Sequence, residues 1–578
     1  MFSALNCRFG HYVVLLVVAT SLTLPALGQS SLWDIDEGNN AEAAREMLES
    51  GNWIIPTFNY QLRVDKPALL YWLQVFAYRA FGVNEFAARL PSALAALLTV
   101  LIVYELGRQM FSPSTGLVAG LILSTSVAFC ASAHFANPDA LLNLTTAATL
   151  FVFWQGFSSG SRWWFLTAAV TTALGVLAKG PVGLMLPAGV IFLFLLWSQK
   201  LGVLLDRRLM QGFLLFFLVA APWYIWVGVD TKANFLRGFI FQHNIGRYLQ
   251  PMEHHTGPAY YYLLVLAVGF VPWSIFLWPT ARLAIGVRAR DDDGTFIPAY
   301  ANEGTDTNVC ATRGISRYRF LWCWMAVYLL FFTFASTKLP NYILPIYAPV
   351  AILTARGLDR WRVRQIELPA WGLNAGLAIL AVIGVGVACA VLIASGLVEL
   401  PTMRGRHLNG LEYLSVLGVP LILGALCAWR CLARQQRGAL VAALVGAAAF
   451  FVGPLLAWGG WALNPFKAPR ELMVESHACQ PNSEVRIGCY QYFQPSMVFY
   501  SRREVQRFES EEKALEFLAS PLKVYLFIPA NDWQQISFKA PGNAHLVASH
   551  WDLYRGREIV VVTNGEPGTS HGTVALGR

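Results

Sequence analysis

An all-α polytopic membrane bundle with a small α/β domain at its C-terminal end is the architecture this sequence predicts, on three observations. Hydrophobic residues make up 56% of the 578 and charged residues only 13%, against about 25% charge in an ordinary soluble domain; the mean hydropathy is +0.47. Apolar runs recur from His11 to Trp458, and at roughly 20 residues per crossing they predict about 13 transmembrane helices. From Asn464 to Arg578 the chain turns polar, with short runs such as Val524-Tyr525-Leu526-Phe527-Ile528 and Glu558-Ile559-Val560-Val561-Val562 that read as strands. The predicted division is 1–463 for the membrane part and 464–578 for a soluble domain. A wholly soluble protein is excluded.

The first apolar segment, His11 to Gly28, follows a short basic stretch and precedes small residues, so it also has the form of a secretory signal. Read as an uncleaved first helix with its N-terminus inside, it sets the alternation of the loops. The inside loops then hold Lys200, Arg207 and Arg208; Arg282, Arg288, Arg290, Arg313, Arg317 and Arg319; Arg356, Arg360, Arg362 and Arg364; and Arg430, Arg434 and Arg437. Such a distribution is expected of cytoplasmic loops, and it accounts for the net charge of +9 without a nucleic-acid partner. The stretch from Asp291-Asp292-Asp293-Gly294 to Arg313 reads as a solvated cytoplasmic linker. Outside fall residues 29–86, His134 to Asp139, Asp230 to Gly257, Ser336 to Tyr342 and the C-terminal domain. Of the nine cysteines, Cys130, Cys323, Cys389 and Cys427 lie in apolar segments; only Cys479 and Cys489 form a candidate disulfide, on condition that their region is exported.

The outer loop 29–86 is the most informative. Trp33-Asp34-Ile35-Asp36-Glu37-Gly38-Asn39-Asn40 puts three carboxylates at the membrane surface, where unpartnered burial is costly. Behind it Ala41, Ala44, Met47 and Leu48 share one helical face, Glu42, Arg45, Glu46 and Glu49 take the other, and Gly51 ends the run. That pattern predicts an amphipathic helix lying along the interface. An isolated Asp-x-Asp also reads as a solvated loop end. Here the same loop continues to Arg63-Val64-Asp65-Lys66-Pro67-Ala68-Leu69-Leu70-Tyr71-Trp72, a second juxtaposition of cation, acid and aromatic residues.

The order Trp33-Asp34-x-Asp36-Glu37, Arg45-Glu46-Met47, Gly51-Asn52-Trp53, Asp65-Lys66-Pro67, Tyr71-Trp72 and Ala88-Arg89-Leu90-Pro91-Ser92 resembles the lipid A aminoarabinose transferases. These belong, with the protein O-mannosyltransferases, to the lipid-linked-sugar transferases of the GT-C fold. Further landmarks are Asp139, Lys179-Gly180-Pro181, His243, Arg247, His254-His255, Tyr260-Tyr261-Tyr262, Pro272-Trp273 and Lys338-Leu339-Pro340-Asn341-Tyr342-Ile343-Leu344-Pro345. The resemblance covers nearly the whole chain. It implies a bacterial inner-membrane, multi-pass glycosyltransferase acting on the periplasmic side, with an undecaprenyl-phosphate-linked sugar as donor, lipid A or another envelope component as acceptor, and inversion by single displacement. Two departures bear on the sugar and the acceptor: the family typically reads Asp-Glu-x-Arg-Tyr where this chain has Asp36-Glu37-Gly38-Asn39-Asn40, and Lys-Pro-Pro where it has Lys66-Pro67-Ala68.

Such a transfer needs cations where negative charge grows on the departing phosphate. Lys66, Arg89, Lys179, Arg247 and Lys338 are isolated basic residues on the predicted outer side, where the positive-inside rule does not explain them; as a set they are the candidate phosphate site, although snorkelling to lipid headgroups is an alternative for each. A carboxylate must orient the incoming nucleophile, and deprotonate it if it is a hydroxyl. Asp36 is the first candidate, with Asp34 and Glu37 as neighbours and Asp139 as partner; the resemblance implies that Asp36 holds the principal catalytic position. Tyr71, Tyr262 and Tyr342 are candidates for the acceptor or carrier groove, while Tyr260, Tyr261, Tyr262, Trp273 and Trp278 also read as an interfacial belt. His243, His254 and His255 with Asp65 suggest a divalent metal, although three histidines without short fixed spacing also read as hydrogen-bonding loop residues, and no cofactor is required. Two other readings remain beside lipid modification: a protein O-glycosyltransferase, and a lipid-linked-sugar transporter. The absence of a visible repeat and of midplane charges weighs against the transporter.

Overall fold

The structure is a computed structural model, described for residues 2–250, 256–286, 309–398, 407–479 and 484–565. The expected linker beginning at Asp291 lies outside the described residues. The chain opens with α1 (Phe2–Thr23), α2 (Asp36–Ser50), α3 (Leu69–Phe81), α4 (Glu85–Met110), α5 (Pro113–Ser124), α6 (Val127–Ala133), α7 (Asp139–Ser159), α8 (Arg162–Lys179), α9 (Val182–Trp197) and α10 (Arg207–Asp230). Helix starts follow ordinary capping chemistry: the Asn84 side chain accepts from the Ala87 N–H at the head of α4, and Ser112 precedes Pro113 at the head of α5.

The protein is a multi-pass membrane bundle. Among the described residues six helices are long and apolar enough to cross a membrane, or up to eight if each of two bent pairs is one span. Counting apolar runs predicts about 13 crossings. The chain bends by 68° between α5 and α6 and by 117° between Tyr261–Gly269 and Trp273–Ala281, and α9 is shorter than a full span.

Helix α2 departs from the sequence reading. Its apolar face packs as expected, Ala41, Ala44 and Met47 meeting Tyr71, Val75 and Tyr78 of α3, and Gly51 closes it in a left-handed conformation. Its charged face is mostly covered, with Glu49 alone exposed. Glu42, Arg45 and Glu46 are buried, Arg45 bonding Glu42 at 2.7 Å and Glu49 at 2.8 Å, while Glu46 accepts from the Tyr60 N–H. The hairpin of β1 (Thr57–Phe58) and β2 (Gln61–Leu62) leads Tyr60 back over this face. Internal pairing is what makes that burial tolerable.

Near the C-terminus a five-stranded sheet runs in the order β4 (Val505–Phe508), β3 (Val485–Tyr490), β5 (Lys523–Pro529), β7 (Arg557–Thr563), β6 (His545–Asp552), with β3 parallel to β4 and β5 and the other pairs antiparallel. Period-two alternation gives it two apolar faces. Tyr525, Phe527, Ile559 and Val561 pack on helices Ala468–Glu475 and Ser496–Ser501. Val524, Leu526, Ile528, Val560 and Val562 pack on Glu511–Leu518 and Ala530–Ile536. Cys489 is buried in β3 and, like Cys479, carries a free thiol, so the two do not form the disulfide that their spacing suggests.

Candidate active site

Asp36 is the first residue of α2, Asp139 the first of α7 and Lys179 the last of α8. Each charge therefore sits at the helix end whose dipole favours it. Lys179 pairs with Asp139, whose other carboxylate oxygen accepts from the Asn341 side chain. The Lys179 ammonium also lies 5.2 Å from the centre of the Tyr342 ring. Gly180, at φ +82°, turns the chain immediately after Lys179, and a side chain there would collide with the Phe239 ring. Phe239 belongs to a π-helical stretch, Gly238–Gly246, a wide turn of the kind often found at functional sites. That stretch carries His243 and delivers Arg247.

Lys66 lies in the loop before α3, within electrostatic reach of Lys179, Asp36, Arg247 and Asp139. Burial pushes its ammonium down to about 8; Lys179 and Arg247 add to the shift, and Asp36 and Asp139 oppose it. The side chains of Lys66, Arg247 and Asp36 make no hydrogen bond or ion pair with another described residue, and the Arg247 Nε is buried. Two cations and a carboxylate are thus gathered without hydrogen-bond or ion-pair partners among the described residues, beside a third cation already paired.

Other expected site residues are committed elsewhere. Arg89 and Glu37, 2% and 0% exposed, form a buried two-bond pair at 2.9 and 2.7 Å. Arg89 also donates to the carbonyls of Leu27, Ser30 and Ser31, and Glu37 accepts from the N–H groups of Trp33 and Ala136. Neither has capacity left for a substrate; together they tie the Asp36 loop to the turn that carries Asp139. Asp34 accepts from both the N–H and the hydroxyl of Ser496, and burial with Asp552 and Glu37 nearby pushes its carboxyl up to about 7 against those bonds. Lys338 donates to the carbonyls of Thr333 and Ala335. Tyr71 is fully buried and accepts from Arg63. Tyr262 is buried in the main core beside Phe332. Of the three tyrosines, Tyr342 reaches Lys179 directly, Tyr71 touches the cluster through Arg63, and Tyr262 lies apart from it.

Of the metal candidates, His243 lies 3.2 Å from Asp65, and burial lowers its pKa, keeping the imidazole neutral. The other Asp65 oxygen is 3.4 Å from Arg63. His254 and His255 lie outside the described residues. Among the described residues no group of three or more His, Cys, Asp or Glu is arranged to hold a metal.

Arg63 and Asn341 complete the cluster without having been singled out from the sequence. Buried Arg63 bonds Tyr71 and the Asn40 side chain at 3.0 and 3.1 Å; Asn341 holds Asp139. The signal for both was their place beside Asp65-Lys66 and Lys338, in outer loops rich in isolated polar residues.

The sequence model for dolichyl-phosphate-mannose-protein mannosyltransferases matches residues 65–226, a stretch containing Lys66, Asp139 and Lys179. An undecaprenyl phosphate-alpha-4-amino-4-deoxy-L-arabinose arabinosyl transferase of Sodalis glossinidius is 30% identical over 451 residues, 75% of each chain. The chain belongs to this arabinosyl transferase family. A relative of the same name from Erwinia tasmaniensis is 29% identical over 370 residues, 61% of this chain and 62% of that one, so the match spans just under two thirds of that relative. ArnT from Cupriavidus metallidurans bound to undecaprenyl phosphate has the same fold, with a TM-score of 0.78 at 21% identity over 96% of this chain and 98% of that one. The GT-C architecture implied by the sequence resemblance is the one observed. Asn39-Asn40 is the departure noted above from the family pattern. Asn40 is buried, donates to the Ala136 carbonyl at 3.0 Å and accepts from Arg63.

Proposed function

We propose that this protein transfers a sugar from an undecaprenyl-phosphate carrier to lipid A or another envelope acceptor on the periplasmic face of the bacterial inner membrane, with residues 464–578 as a periplasmic domain. The observation that carries this reading is the set Lys66, Arg247 and Asp36, without hydrogen-bond or ion-pair partners among the described residues, beside the Lys179–Asp139 pair. A polyprenyl phosphate-sugar is an anion that becomes more negative at the bridging oxygen as the glycosidic bond breaks, and fixed cations stabilise that charge. Family membership and the undecaprenyl phosphate in the Cupriavidus metallidurans ArnT structure support the carrier.

In this mechanism an acceptor oxygen attacks the anomeric carbon, the bond to the carrier phosphate breaks, and the electron pair leaves with undecaprenyl phosphate toward Lys66, Arg247 and Lys179. If the acceptor is a hydroxyl, Asp36 takes its proton. If it is a phosphate, no proton need be removed and Asp36 positions the nucleophile. Asp139 and Asn341 fix Lys179, and the Tyr342 ring lies beside its ammonium. No metal is required for either form.

The test is expression of the wild type and of Asp36→Asn in a bacterial host that makes the lipid-linked sugar, with mass spectra of lipid A and of the carrier pool. A sugar-sized increment on lipid A from the wild type alone supports the transferase, the acceptor and the role of Asp36. The mannosyltransferase match over 65–226 favours a second reading, in which the acceptor is a protein hydroxyl; carrier consumption with the increment on envelope protein would select it. An unchanged carrier pool in a host proven to make the donor overturns both.

A further inference from the structure

Besides its bonds with Arg89 and Glu37, the segment that delivers Asp36 is held by residues more than 400 positions away. The Asn464 side chain donates to the Gln29 carbonyl at 2.8 Å and accepts from the Ser31 N–H at 2.9 Å. Lys467, 1% exposed, donates to the Ser30 hydroxyl and the Ser31 carbonyl and lies 3.6 Å from the centre of the Trp33 ring. The Leu32 N–H donates to the Tyr500 hydroxyl at 2.8 Å and the Asp34 N–H to the Tyr554 hydroxyl at 3.1 Å. Asp34, two residues before Asp36, accepts from Ser496 at both carboxylate oxygens. Gly38 seals the contact: a Cβ there would lie 2.5 Å from both the Asp34 carboxylate and the Ser496 nitrogen, so helix Ser496–Ser501 sits directly on the first turn of α2.

We infer that the C-terminal domain is a positioning element of the active site, holding Asp36 in place through a latch between Asp34 and Ser496. This inference rests on Asp36 being the acceptor-side carboxylate. The membrane part alone leaves residues 29–34 with few bonds of their own, chiefly those from Arg89 and Glu37, so the domain helps set the course of the segment that joins α1 to Asp36. Lys66, Lys179 and Arg247 are held by other segments. Releasing the latch therefore displaces the nucleophile-orienting group and spares the phosphate site. A displacement of about 1 Å can cost on the order of 100-fold in rate.

The test uses full-length protein: Ser496→Ala, which removes the hydroxyl, and Ser496→Thr, which keeps it. Tyr554→Phe, which removes only the hydroxyl bonded to the Asp34 N–H, serves as a second variant should Ser496→Ala fail to fold. Turnover is followed with lipid-linked aminoarabinose and lipid A, binding with undecaprenyl phosphate alone, and local order by amide hydrogen exchange over residues 29–40. Ser496→Ala and Tyr554→Phe should lower kcat by about 10-fold to 100-fold and speed exchange over 29–40, leaving the donor KM and undecaprenyl phosphate affinity unchanged; Ser496→Thr should behave as wild type. Wild-type exchange and kcat in both Ala and Phe variants would overturn the latch. So would a loss of undecaprenyl phosphate binding that parallels the loss of turnover. A wild type that transfers nothing between this donor and this acceptor overturns the aminoarabinose–lipid A pairing and not the latch, which the exchange data over residues 29–40 then decide.

Discussion

At the scale of single residues, Lys66 shows how position changes what a side chain can do. Its ammonium is pushed from an ordinary 10.5 down to about 8, by burial first and by Lys179 and Arg247 next. The folded state then holds fewer protons than the unfolded chain between about pH 8 and 10.5, so the free protein gains stability as pH rises across that window and loses it as pH falls through 8. A bound phosphate prefers the protonated lysine, so affinity for undecaprenyl phosphate should fall as pH rises above about 8, approaching tenfold per pH unit, and stay level just below. Lys66→Met should bind more weakly and lose this pH dependence; titrated binding curves check both. Asp36 is exposed at the head of its helix, and its side chain makes no hydrogen bond or ion pair with another described residue. Asp36→Asn should reduce turnover by about 100-fold or more if the acceptor is a hydroxyl, with the unfolding temperature unchanged. Both residues were legible in the sequence because an isolated charge in a predicted outer loop has few structural reasons to be there. Arg89 and Glu37 carried the same signal and mean something else, since their pairing across 52 residues has no trace in local spacing.

At the scale of elements, burial of charge separates ties from sites. The Arg89–Glu37 pair joins α4, α2 and the turn before α7, and both members are almost fully buried. Removing one leaves the other uncompensated, so Arg89→Ala should cost about 3–5 kcal/mol in unfolding measured in detergent. Its activity loss should follow the folded fraction, unlike that of Asp36→Asn. The apolar periodicity of α2 was legible, as was its end at Gly51. The cover over most of its charged face was not legible, because the hairpin that returns Tyr60 over Glu46 leaves only a two-residue signal per strand. In the sheet, Val524 to Ile528 and Glu558 to Val562 read as strands and lie in β5 and β7, where both faces are covered and continuous apolar runs are expected.

At the scale of the whole molecule, the bundle places the cluster at one set of helix ends and the C-terminal domain against the same end, through Asn464, Lys467, Ser496, Tyr500 and Tyr554. If that end is periplasmic, Phe538→Cys, at a position 76% exposed on the domain, should take up a membrane-impermeant maleimide in cells with a permeabilised outer membrane and an intact inner membrane, above the level of the parent chain. Labelling only after the inner membrane is breached would reverse the orientation. What the sequence by itself determined is the membrane class, the small sheet domain, the family resemblance and the loop in which Asp36 and Lys66 occur, because hydropathy, period-two runs and isolated charges are local properties. Only the tertiary structure decided which charges remain available. Whether Asp34, Glu37, Arg89 or Lys338 faces a substrate depends on partners such as Ser496, 462 residues from Asp34, and a buried charge is spent on whatever neighbour desolvates it.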